Sequence, residues 1–346
     1  MNARVEALQA RLEEPLLVTN PVNVRYLTGF ESSNAALVVD RERVRVFTDF
    51  RYAEAARALA GAELVQTARA LLADVGAAVA PGPLGFEADH LTVDRWEVLR
   101  DAGVELVARP GQVEALRALK TEEDVAKIRR AAEVADRALE ALAREPFAGR
   151  SEREIAWRLW ELLHAHGADA AAFEAIVASG PNGAHPHARP TDRIVQKDEL
   201  VTIDWGCVVD GWNSDCTRTF ATGRLSDDLR RIYEVCREAQ QAALEGIRPE
   251  MTGREADAVA REPIAAAGYG EQFGHGLGHG LGMAVHETPG LRPESSDVLE
   301  PGMIVTVEPG IYVPGLGGVR IEDLCVVRED GLETLTSYRK DLVVVD

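Results

Sequence analysis

The chain has 346 residues, 46% hydrophobic and 27% charged, which suits a folded protein of one large domain or two ordinary ones. Its 57 acids outnumber 38 Lys and Arg, a formal net charge of −19, and such a surface repels nucleic acid and anionic membrane. Cys207, Cys216, Cys236 and Cys325 show no CxxC spacing, the opening MNARVEALQARLEEPLLV lacks the apolar core of a signal peptide, and no apolar run nears the ~20 residues of a bilayer crossing, so a cytoplasmic protein with free thiols is expected.

Helical periodicity over EALQARLEE (6–14) gives way to strand-like AALVVD (35–40) and RVRVFTD (43–49). A helix over 51–62 and a short strand in LGFEAD (84–89) follow. This alternation predicts a small α/β domain with helices packed on a sheet. Pro110-Gly111 breaks the pattern. Thr121 then reads as a helix cap, with Asp124 at the third helical position and a long Ala-rich amphipathic helix behind it. The boundary falls near 115–120, giving domains 1–117 and 118–346. Ser151 and Glu154 form a capping box for a second helix. From Phe173 onward β-rich segments dominate, with helices at about 227–246 and 252–268, so the second domain is expected to be α+β: an antiparallel sheet with covering helices.

GHGLGHGLGMAVHE (274–287) alternates five glycines with His275, Leu277, His279 and Leu281. Each interior Gly costs a helix roughly 0.5–1 kcal/mol relative to Ala, so an extended path is expected. On it His275 and His279 stand about 13 Å apart and cannot share one metal ion. In TIDWGCVVDGWNSDCTRTF, Asp210-Gly211 marks a two-residue hairpin turn. Counting outward pairs Val209 with Trp212 and Gly206 with Asp215, which makes Asp204 and Asp215 diagonal neighbours on one face, about 7–8 Å apart. Glu308 and Glu322 lie in strand-like IVTVEPG and GVRIEDL. Any one of these acids alone reads first as solvent-facing; four with a Gly-flanked histidine point to two divalent ions neutralising −4 with +4.

Together TIDWGCVVDGWNSDCTRTF, GHGLGHGLGMAVHE, TVEPGIY and GVRIEDL resemble the metal-binding signature of the pita-bread metallopeptidases, and within them the Xaa-Pro peptidases, prolidase and aminopeptidase P. NVRYLTGFESSNAALVV and VFTDFRYAEAA are similar to their creatinase-like N-terminal domain. The resemblance implies Asp204, Asp215, His279, Glu308 and Glu322 as metal ligands, with Asp215 and Glu322 bridging two ions. It also implies substrate or intermediate contacts for His187, His275 and His286, and places Arg320 near the substrate end. Asp210, Asp323 and His185 are expected to be turn, structural or solvent-facing residues.

The activity implied is hydrolysis of the bond before proline by a metal-bridging hydroxide. Glu308 would shuttle the proton, His286 would steady the oxyanion, and His187 and His275 would line the proline pocket. A dipeptide's carboxylate would suit an arginine clamp, for which Arg320 and Arg51 are candidates. The compact chain favours a dipeptidase, with aminopeptidase P as the alternative. Methionine aminopeptidase lacks the N-terminal domain, creatinase lacks the metal set, and a non-catalytic binding module would be expected to lose ligands. Manganese suits the oxygen-rich donors, with cobalt or zinc as alternatives, and the family resemblance implies a homodimer.

Overall fold

The computed structural model describes residues 2–79 and 81–345. The chain divides between Arg117 and Ala118 into two units. In the first, six strands lie in the order Glu63–Thr67, Val44–Asp49, Ala35–Val39, Leu16–Val18, Pro83–Phe86, Glu105–Ala108. Pairing is antiparallel at the centre and parallel toward both edges. The central hairpin closes where Asp40 Oδ1 accepts from the backbone N–H of Glu42 and Arg43, a side chain standing in for a turn bond. Leu17, Val38, Phe47, Val75 and Leu99 form the core of the helix-covered sheet.

This unit departs from the expected elements at three places. The first helix is Ala3–Gln9 and stops well short of Glu14. Leu12 O accepts from Arg41, and Glu13 and Glu14 pair with Arg109, so these residues serve tertiary contacts instead of a helical turn. The helix expected over 51–62 is only Ala53–Arg57, opened by Tyr52 with no side-chain cap. Pro21–Thr28 is helical although it lies outside the expected elements, with Asn20 as cap, Pro21 in the first turn and Gly29 at φ 72° after its end.

The second unit is α+β. Its long helices are Glu122–Leu142, Glu152–Ala165, Asp227–Gly246 and Gly253–Ala266, and three of them open with full capping boxes, Thr121/Asp124, Ser151/Glu154 and Thr252/Glu255. All its named strand pairs are antiparallel. Alternation along the strands decides what faces what. In Leu200–Trp205, Val201, Ile203 and Trp205 pack with helix residues Ala138, Leu139 and Leu159. In Ile304–Val307, Val305 and Val307 pack with Tyr233, Ala239 and Ala260 of the other helix pair. The intervening residues, Thr202 and Asp204 from one group of strands and Thr306 from the other, are left for the space between the groups. Thr202 Oγ1 reaches Gly318 O at 3.2 Å and Thr219 Oγ1 reaches Arg320 O at 3.0 Å, which ties the two groups across it.

Asp210 (φ 50°) and Gly211 (φ 79°) form the expected hairpin turn. Val209 pairs with Trp212, Trp205 with Cys216 and Asp204 with Thr217, so the register runs unbroken past Gly206. Asp204 and Asp215 are therefore diagonal neighbours on one face.

Candidate metal centre

Asp204, Asp215 and Glu322 each present a carboxylate oxygen within 4.8 Å of the other two. His279 Nε2 lies 3.4 Å from Glu308 Oε1 and 3.7 Å from Asp215 Oδ2. The five residues named as ligands thus converge on one place: Asp204 from strand Leu200–Trp205, His279 from Gly278–Gly280, and Asp215, Glu308 and Glu322 from the breaks just beside strands. Asp204 Oδ1 and Glu322 Oε1 are buried with no hydrogen-bond partner among the described residues. Their sister oxygens are held: Arg320 Nη2 donates to Asp204 Oδ2 and Thr217 Oγ1 to Glu322 Oε2, both at 2.7 Å.

The glycine-rich tract is extended only briefly, as the strand Gly278–Gly280. A Cβ on Gly278 would run into the carbonyl oxygen of Thr306, and one on Gly280 into that of Thr288, so these two glycines let the His279 backbone lie directly against its neighbours. Gly274 faces open space and has no such reason. Ahead of the strand, helix Gly253–Ala266 supplies the bonds. Arg261 Nη1 and Nη2 donate to Phe273 O (2.8 Å) and His275 O (2.6 Å), while Asp257 Oδ1 accepts from Leu277 N (2.9 Å) and both side chains pair with each other.

The tautomer of His279 is fixed by its surroundings. Its Nδ1 sits 3.0 Å from Gly280 O, and a carbonyl can only accept, so Nδ1 carries the proton and Nε2 a lone pair. Burial lowers its pKa and keeps the ring neutral. That lone pair faces the carboxyl oxygens of Glu308 and Asp215. The acids are strained in the same sense. Burial first, then Glu322, Asp204 and Glu308, push the Asp215 carboxyl well up. Burial with Glu308 and Asp204 does the same to Glu322. Burial lifts Glu308 to about 7 against the pull of Arg320. Acceptors and lone pairs facing one another, two of them orphaned, fit divalent cations held by oxygen and one imidazole.

Arg320 is placed differently from the clamp expected of it. It is 4% exposed, and its guanidinium donates to Thr217 Oγ1, Pro186 O, Tyr312 Oη and Asp204 Oδ2, which leaves it no face for a substrate carboxylate. Arg51, the other clamp candidate, is paired through Nε and Nη2 with Asp49. Tyr312, absent from the sequence reading, accepts from Arg320 and so turns its own proton toward His275 Nε2, 2.8 Å away. His275 Nδ1 faces Gly276 O at 2.8 Å, so both ring nitrogens are engaged, and burial, with Arg320 nearby, lowers its pKa to about 4. It offers a substrate only its ring face. His286 stacks edge-on against His279, with centroids 4.4 Å apart, and both His286 and His187 are exposed. Asp210 sits in the turn and His185 is exposed, while Asp323 is buried in an ion-pair network. Thr217 and Thr306, also unforeseen, lie two residues from Asp215 and Glu308 on the same strand face; period two was the signal that could have found them.

The profile described as metallopeptidase family M24 matches residues 126–329, and the creatinase/prolidase N-terminal domain matches residues 4–119. The chain is 43% identical over 338 residues to the uncharacterized peptidase YqhT of Bacillus subtilis, covering 95% of each. Among solved structures it resembles the Xaa-Pro dipeptidase from Bacillus anthracis, with a TM-score of 0.95, 39% identity and 99% of each chain covered. It also resembles the prolidase from Pyrococcus horikoshii OT3, with a TM-score of 0.93 and 32% identity, covering 99% of this chain and 100% of that one. With a creatinase-type N-terminal domain ahead of these converging acids and one neutral imidazole, the chain belongs to metallopeptidase family M24.

Proposed function

We propose that the chain hydrolyses the Xaa-Pro bond of dipeptides, with Asp204, Asp215, His279, Glu308 and Glu322 holding two divalent metal ions. The observation that carries this reading is the lone pair of His279 Nε2 set against the oxygens of Glu308 and Asp215, an arrangement that a cation resolves. Two dications balance four carboxylates, and manganese suits so oxygen-rich a set. When bound, such ions supply positive charge that acidifies a water and polarises a carbonyl.

The protein's own groups supply the rest. Glu308, beside His279 Nε2, is placed to take a proton from the attacking water and return it to the departing proline nitrogen. His286, beside His279, steadies the developing oxyanion, and His187 contacts the substrate. His275, both nitrogens already bonded, borders the proline ring with an apolar face. Proline has no amide N–H, so ring shape supplies the selectivity. Arg320 acts on Asp204 through their shared hydrogen bond. The similarity to dipeptidases along the whole chain supports the dipeptide reading.

The protein is proposed to work as a cytoplasmic homodimer. Among the described residues no helix is long and apolar enough to cross a membrane, and all four cysteines are buried free thiols, which suits a reducing compartment. The test is to chelate the protein, restore manganese, cobalt or zinc singly, and compare Ala-Pro with Ala-Pro-Gly. Faster cleavage of Ala-Pro with manganese is expected. Faster cleavage of the tripeptide makes the protein an aminopeptidase P instead.

A further inference from the structure

Helix Glu152–Ala165 begins with a carboxylate that none of the chemistry above uses. Glu152 is fully buried (0% exposed), and no ion pair with it is seen among the described residues. Its oxygens instead gather five hydrogen bonds. Oε1 accepts from Ser179 N and Ser179 Oγ, both at 2.7 Å. Oε2 accepts from Asn182 Nδ2 (2.8 Å), Thr191 N (3.0 Å) and Thr191 Oγ1 (2.6 Å). The same helix end donates Glu152 N to Arg193 O and Arg153 N to Thr191 O, each at 3.1 Å. One side chain therefore fastens both ends of the segment between Ser179 and Thr191, and that segment carries His187. Its middle is fastened from the other side, where Arg320 Nη1 donates to Pro186 O at 3.1 Å.

We propose that Glu152 is a positioning residue that fixes His187 against the substrate by closing this loop; the proposal rests on the reading of His187 as a substrate contact. Only a carboxylate serves. Each oxygen faces a backbone N–H, Ser179 on one side and Thr191 on the other, so an amide must turn its NH₂ group against one of them. A buried carboxylate is otherwise costly, and the five donors, with the helix N-terminus behind them, compensate it.

The test is a double-mutant cycle of Glu152→Gln and His187→Ala, reading KM and kcat for Ala-Pro, manganese affinity by calorimetry, and amide exchange across 179–191. Glu152→Gln is expected to raise KM about tenfold, leave manganese affinity unchanged and speed exchange in the loop. The double variant should be no worse than His187→Ala alone. Multiplying effects, or unchanged loop exchange in Glu152→Gln, overturns the role of Glu152. An unchanged KM in His187→Ala alone sinks the reading of His187 instead, and the exchange data still judge Glu152. Should Glu152→Gln fold poorly, Thr191→Val removes one donor of near-equal volume and should shift KM in the same direction by about threefold, again non-additively with His187→Ala; full additivity there overturns the proposal.

Discussion

Glu322 and Asp323 are consecutive, each is 1% exposed, and they belong to opposite electrostatic regimes. Asp323 Oδ1 accepts from Arg218 Nη2 (2.7 Å) and Thr336 Oγ1 (2.8 Å), and Oδ2 from Lys340 Nζ (2.7 Å) and Gln240 Nε2 (2.8 Å). Burial would raise its pKa, yet Arg218 and Lys340 hold it at about 2. Glu322 faces Asp204, Asp215 and Glu308, with the guanidinium of Arg320 already engaged by Asp204, and its carboxyl is driven up. Burial of an acid is thus no mark of function. What separates the two is whether the protein supplies the compensating charge or leaves it to be brought from outside.

Reversing each acid in turn should give opposite phenotypes. Glu322→Gln should lower kcat/KM by about a thousandfold or more, the several kcal/mol that bound cations supply, while leaving the metal-free fold as stable as before or more so. Asp323→Asn should cost about 3–5 kcal/mol of stability, because Arg218 and Lys340 lose their partner, yet leave the metal stoichiometry of the folded fraction intact. Denaturant melts beside metal titrations read both. Equal destabilisation by the two substitutions would erase the distinction.

The same contrast predicts a pH dependence. In the metal-free protein Asp215, Glu322 and Glu308 hold protons that the unfolded chain releases, so their raised pKa values favour folding at low pH. That stability is present below the ordinary carboxylate value near 4.5 and is lost as pH rises through about 7 for Glu308. Urea midpoints of the metal-free protein and of Glu308→Gln should therefore diverge between pH 5 and pH 7.5, with wild type falling further. Manganese at about 100 times its Kd should add about 2.7 kcal/mol at the higher pH. Parallel curves would show that Glu308 is compensated after all.

The smallest effect lies within the glycine tract. Gly278→Ala should cost about 1–3 kcal/mol, since its Cβ meets the Thr306 carbonyl, whereas Gly274→Ala should stay within about 0.5 kcal/mol. Thermal melts of the two variants decide whether the tract is glycine-rich by need at both positions.

Much of this was legible from residues that act locally. The Asp210-Gly211 turn set the pairing of Asp204 and Asp215, and the capping pairs at Thr121 and Ser151 opened helices where the structure has them. The unread parts depend on distant contacts. Arg320 is emptied as a clamp by Pro186 and Thr217, more than a hundred residues away, and Tyr312 gains its place only once the strand carrying it folds beside Arg320. The over-long helix at 6–14 failed likewise, because Leu12, Glu13 and Glu14 are claimed by Arg41 and Arg109. Periodicity cannot see a competitor for the same backbone.

The bonds that helix Gly253–Ala266 makes to Phe273, His275 and Leu277 have a consequence for the protein in a crowded solution. Open carbonyls and amides beside a thin, side-chain-poor segment are a template onto which a foreign strand can add. Arg261 and Asp257 occupy the carbonyls of Phe273 and His275 and the amide of Leu277 first, so those groups are sealed by two charged side chains.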